Sequence, residues 1–159
     1  MNWIHLFRDR PAAPVNTLDV VPRRVQVLLI SADRNFRARF ERAVRDSRWE
    51  LRTLDSVVEA ASLMAPGTKS LVVYDWETLD GDWSPGLQAL KSMPGQTCVF
   101  LVSRSLDNNL WQEVIRLGGY DVLARSADSE EIKRNIAFAW FWSIRPRTLL
   151  GDAKEITHS

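Results

Sequence analysis

Hydrophobic positions along this chain follow two alternating rhythms. Val25 to Ile30, Leu71 to Tyr74 and Cys98 to Val102 are near-continuous apolar runs. Runs of that length are expected of strands covered on both faces. Trp49 to Leu54 is a candidate second strand, and Tyr120 to Ala124 a fifth. Between them the apolar spacing changes to that of helices. Phe36, Phe40 and Val44 recur every four residues, with Arg34, Arg37, Arg42 and Arg45 largely off the stripe. Val57 to Met64 predicts a short helix stopped by Pro66-Gly67, and Leu87 to Met93 one closed by Pro94-Gly95. Leu110, Trp111, Val114, Ile115 and Leu117 mark a fourth helix ending at Gly118-Gly119. Asp128 or Ser129 caps a fifth, with Glu130 and Glu131 in its first turn, running to about Ser143.

Five strands alternating with five helices imply βαβ units, a mostly parallel sheet and right-handed crossovers with helices on both faces. The pattern occupies residues 24–143. Residues 1–23 carry Pro11, Pro14 and Pro22 and read as an arm or linker, with an apolar cluster of Trp3, Ile4, Leu6 and Phe7 at its start. Residues 144–159 lack a core pattern and read as a tail.

Composition narrows the function. The 159 residues are 45% hydrophobic, enough for one domain with an adequate core. With 21 bases against 20 acids the chain lacks the excess of a general nucleic-acid binder. The single cysteine, Cys98, excludes an internal disulfide framework. No apolar stretch is long enough to span a membrane, and no leader pattern opens the chain, so a cytoplasmic location is expected.

In an open parallel sheet, chemistry gathers beyond the carboxyl ends of the strands. Those positions hold Ser31, Ala32 and Asp33 after strand 1; Asp75, then Glu77, after strand 3; Ser103 after strand 4; and Arg125 after strand 5. A carboxylate, a hydroxyl and a base would converge there. An Asp75–Arg125 ion pair and a Ser103 that caps its own loop are the plain structural alternatives.

The ordered set resembles a response-regulator receiver domain, over roughly three quarters of the chain. Asp75, ending LVVYD, matches the aspartate that receivers phosphorylate, and Ser103, ending VFLVS, the hydroxyl that contacts the phosphoryl group. RLGGYDVLARS at 116–126 is similar to the family's run through strand 5. The resemblance implies a flavodoxin-like (βα)5 doubly wound sheet in order 2-1-3-4-5. It also implies no enzyme activity in the ordinary sense, but a phosphorelay signalling role with a histidine kinase or phosphotransfer protein as partner.

The departures from that pattern decide the expected mechanism. Ser31 and Ala32 replace the usual acidic pair that holds Mg²⁺, leaving Asp33, Asp75 and Glu77 as weak metal candidates. Arg125 stands where the family has lysine, a non-conservative exchange at a tight site. Ser126 replaces the proline that follows a cis peptide, so a trans bond is expected. The expectation is therefore a degenerate receiver that signals by protein–protein contact. An active receiver phosphorylated on Asp75 is the first alternative. A flavodoxin-like nucleotide binder is the second, though the SADRNF loop has no glycine to let backbone cradle phosphate.

Two surfaces stand out. Residues 24–52 carry eight arginines against four acids, and residues 53–91 reverse the balance with two lysines against six acids. The last helix, with Ile136 to Trp142 apolar on every face, is expected to meet the arm, a second copy or another protein. Receivers commonly dimerise through helix 4, strand 5 and helix 5. The resemblance therefore makes Trp111, Tyr120, Phe138, Phe141 and Trp142 candidate interface residues.

Overall fold

The computed structural model describes residues 26–45 and 47–141. The arm at 1–23, the tail at 144–159 and Trp142 lie outside them.

The elements are β1 (Gln26–Ile30), α1 (Arg34–Val44), β2 (Glu50–Leu54), α2 (Val57–Ala61), β3 (Lys69–Tyr74), α3 (Trp83–Ser92), β4 (Gln96–Ser103), α4 (Asn108–Arg116), β5 (Asp121–Ala124) and α5 (Ser129–Ala139), with a short 3-10 turn at Trp76–Thr78. The five strands form one parallel sheet in the order β2-β1-β3-β4-β5, as expected. Ile30 lies beside Tyr74 and Tyr74 beside Leu101. β1 and β3 therefore finish level, β4 runs two residues further to Ser103, and the loops that follow these strands share one rim.

Strand alternation sorts the core into two layers. Val27, Leu29, Leu71, Val73, Phe100 and Val102 face α1 and α5, where they meet Phe36, Phe40, Ile132 and Ile136. Leu28, Ile30, Val72, Tyr74, Val99 and Leu101 face the other way onto Ala60, Leu87, Leu90 and Val114. All four residues after Gln26 in β1 are buried, which is why that strand shows no polar alternation.

Several boundaries differ from the sequence expectation. α3 starts at Trp83 rather than Leu87, because Asp82 caps it by accepting from the Trp83 amide at 2.8 Å. Pro85 and Gly86 sit inside its first turn, where a missing amide hydrogen does no harm. α2 stops at Ala61, short of Met64. β4 extends to Gln96 and Ser103 beyond its apolar centre. The described peptide bonds are all trans, Arg125–Ser126 included.

In the last helix Ile132, Ile136, Ala139 and Phe141 are buried, whereas Lys133 and Arg134 of its first half and Ala137 of its apolar stretch are exposed. Trp140 packs against the core layer beneath it and Phe138 is half-buried. No helix among the described residues is long and apolar enough to cross a membrane.

Candidate functional site

Asp75 follows β3 directly, in the middle of the rim, and its side chain is fully buried. Its amide donates to Ile30 O at 2.8 Å, prolonging the β1–β3 ladder by one step and fixing where the carboxylate points. Two side chains hold that carboxylate. Ser31, at the end of β1, donates its hydroxyl to Oδ2 at 2.6 Å. Arg125, just past β5, brings its guanidinium onto both oxygens: Nη1 donates to Oδ2 at 2.9 Å and Nη2 to Oδ1. The pairing is bidentate, the geometry in which arginine and carboxylate bind most strongly.

The same guanidinium reaches two further acids. Nη1 lies 3.3 Å from Asp33 Oδ2, and Nη2 lies 3.4 Å from Glu77 Oε1. Arg125 itself is only 15% exposed. Asp33 does a second job at the other end of its carboxylate. Its Oδ1 accepts from the amides of Asn35 and Phe36 at 2.9 and 3.2 Å and so caps α1. Glu77 Oε1 accepts from the Arg104 amide at 2.7 Å, joining the loop after β3 to the loop after β4.

Electrostatics follow from these contacts. Burial pushes the Asp75 carboxyl above the ordinary carboxylate range, and hydrogen bonds from Ser31 and Arg125 offset only part of that rise. Asp33 moves the other way. Its partial burial raises it, but the Phe36 and Asn35 amides and the Arg125 charge together bring it below its ordinary value. Arg125 loses some hydration, yet Asp75 and Glu77 hold its proton more firmly than water would.

The structure brings together Ser31, Asp33, Asp75, Glu77 and Arg125, all expected from the strand ends. Ser103 is placed differently. Its hydroxyl donates to Ser105 O at 3.0 Å and accepts from the Ser105 amide at 3.2 Å, so it closes its own loop. Three contributors escaped sequence reasoning. Thr78 Oγ1 donates to Asp75 O at 2.8 Å and accepts from the Ala32 amide at 2.9 Å. Arg39 of α1 donates to Arg125 O at 2.7 Å and Ala127 O at 3.2 Å, holding the loop that carries Arg125. Arg37 donates to Ser31 O and pairs with Asp55 at 2.9 Å. Two arginines of the basic segment are therefore braces and not free surface charge. Only Thr78 left a signal, a hydroxyl three residues past the aspartate.

The residues present do not suit the Mg²⁺ ion that the resemblance implies. Mg²⁺ demands near-octahedral oxygen ligands at about 2.0–2.1 Å. At this rim Asp33 spends one oxygen on the α1 cap and Asp75 gives both to Ser31 and Arg125. The space where the three carboxylates converge is taken by the guanidinium. Among the described residues, no three His, Cys, Asp or Glu side chains are arranged to hold a metal ion.

Two of the interface candidates, Trp111 and Tyr120, are half-buried and also make contacts inside the domain. Trp111 Nε1 donates to Asp121 Oδ1 at 3.0 Å, and Tyr120 packs against Phe100 with ring centroids 5.2 Å apart. Leu106 and Ile115 on the same side are about two-fifths exposed (39% and 40%).

No family model and no curated protein matches the chain. Solved structures do. A signal receiver domain of an HD domain-containing protein from Pseudomonas fluorescens is 21% identical, with a TM-score of 0.64 over 75% of this chain and 88% of that one. A two-component response regulator from Clostridium difficile is 13% identical, with a TM-score of 0.62 over 72% of this chain and 95% of that one. A response regulator from Burkholderia pseudomallei, solved with a phosphorylated aspartic acid, a calcium ion and citrate, is 13% identical, with a TM-score of 0.58 over 84% and 74%. The chain thus has the fold of a signal receiver domain.

Proposed function

We propose that this chain is a receiver-like module of two-component signalling that is degenerate in Mg²⁺-dependent aspartyl phosphorylation and acts through protein–protein contact. The observation that carries this reading is the engagement of Asp75 by Arg125 and Ser31. To attack a phosphodonor, a carboxylate oxygen must be free and the charge on the phosphoryl oxygens must be neutralised. Here both oxygens are held, and the nearest cation is already shared among Asp75, Asp33 and Glu77.

In this reading the module turns over no substrate and works in the cytoplasm. Its partner is a second copy or another protein, docked on the α4–β5–α5 side, where Leu106, Ile115 and the half-buried Trp111 lie. Light scattering of the purified chain reads the homodimer directly. A monomer at every concentration would assign that face to a different protein.

Phosphorylation is tested by incubation with acetyl phosphate and Mg²⁺ followed by intact-mass measurement. The expected spectrum is unchanged. A phosphoryl mass increment that maps to Asp75 would overturn the degenerate reading. It would support the second one, an active receiver served by a histidine kinase or phosphotransfer protein. The position of Asp75 directly after the central strand β3, where receivers carry their phosphoacceptor, is what favours that second reading.

A further inference from the structure

Three acids and one half-buried base meet at this rim, and the base is covalently part of the chain. We propose that the Arg125 guanidinium is the resident cation of the site, standing in the place of a divalent ion and holding the surrounding loops in a single arrangement. The inference rests on the reading above, in which the site does not use metal-dependent phosphoryl chemistry.

Charge balance is the first argument. Asp75 has no exposed side-chain surface, and a carboxylate taken out of water without a partner is strongly destabilising. Some positive charge must accompany it, and Arg125 supplies it in bidentate form. Shape is the second. A forked, planar cation can serve three acids at once, with Nη1 between Asp75 and Asp33 and Nη2 between Asp75 and Glu77. A lysine ammonium is a point charge and cannot reproduce both arms.

Connectivity is the third. From Arg125 the contacts run through Asp33 to the cap of α1, through Asp75 to Ser31, and through Glu77 to the Arg104 amide. Arg39 closes the circuit by holding the Arg125 carbonyl from α1. The loops after β1, β3, β4 and β5 are thus tied through one side chain. An ion can leave its site, but a tethered guanidinium cannot. The arrangement is therefore indifferent to chelators and to the supply of divalent metal.

The test is thermal unfolding of the 159-residue chain and its variants, each in EDTA and in millimolar MgCl₂. The wild type is expected to melt at the same temperature in both. Arg125→Ala should lose roughly 10 °C, because it strands the buried carboxylate. Arg125→Ala combined with Asp75→Asn should regain at least half of that loss, since the stranded charge is gone. Arg125→Lys should fall between wild type and Arg125→Ala. If Arg125→Ala does not fold, Arg125→Lys against Arg125→Lys/Asp75→Asn gives the same comparison.

A wild-type midpoint that climbs with Mg²⁺ would overturn the inference. So would equal destabilisation of the single and double variants, because the guanidinium would then act by packing alone. The two claims fail separately. Phosphorylation of the wild type removes the signalling reading but leaves the Arg125–Asp75 coupling measurable. Loss of that coupling removes the resident cation and leaves the signalling reading standing.

Discussion

At the level of single residues, the rim is governed by hydrogen bonds that each carboxylate must share. Asp33 divides its oxygens between the α1 cap and Arg125, and its pKa is lowered in the fold. A carboxyl lowered on folding adds stability that is present above its unfolded value and lost as pH falls through its folded value. Acid unfolding should therefore show an Asp33 contribution that is fully present above the ordinary carboxylate value of about 4 and fades as pH falls below it. Asp33→Asn keeps an equally good cap and should flatten that part of the profile. Asp33→Ala should cost about 1 kcal/mol at neutral pH, read from chemical denaturation. Asp75 has the opposite sign. Its raised pKa means that ionisation opposes folding, so this group's share is most favourable at low pH and declines as pH rises. Ser31→Ala removes one donor from Asp75 and should cost about 1–3 kcal/mol in the same assay. An unchanged denaturation midpoint would mean that Ser31 does not help to hold the buried charge.

At the level of elements, the positions that frame the site come from packing as well as from propensity. α3 lies against the face of β3 that carries Tyr74, and it approaches through Gly86. A Cβ on Gly86 would overlap the Tyr74 hydroxyl and fall 2.6 Å from the ring carbon that bears it. Gly86→Ala should thus destabilise by about 1–3 kcal/mol despite alanine's better helix propensity, with the midpoint of thermal unfolding as the readout. A gain in stability would show that Tyr74 moves aside freely. The five strands and five helices were legible in the sequence because buried parallel strands are continuous apolar runs and the helices carry clear stripes. The start of α3 was not, because Pro85-Gly86 reads as a break until the Asp82 cap upstream of it is known. The rim residues were legible for the same reason as the strands: a residue that ends a central strand must lie on the rim. Their pairing was not. Nothing in the spacing shows that Ser103 turns to Ser105 or that Arg39 reaches across 86 positions to hold Arg125.

At the scale of the whole molecule, α1 works as a beam across one face. Its Asp33 cap touches Arg125, its Arg39 holds the loop after β5, and its core side chains pack on α5. Arg39→Ala should loosen that loop. Faster amide exchange is expected at Arg125 to Ala127, with little change in the β1–β3 ladder. Uniform exchange across the domain would deny Arg39 this local role. The basic segment from 24 to 52 and the acidic one from 53 to 91 follow the same logic, since Arg37 and Arg39 are absorbed into the fold before any partner meets the surface.

The central claim is that Asp75 is held by the chain's own cation and not poised for a metal and a phosphoryl group. Amide ¹H–¹⁵N spectra recorded while Mg²⁺ and then beryllofluoride are added test it most directly. The account predicts that the resonances of Ser31, Thr78, Ser103 and Arg125 stay in place throughout. Saturable shifts at those residues on addition of beryllofluoride with Mg²⁺ would contradict it.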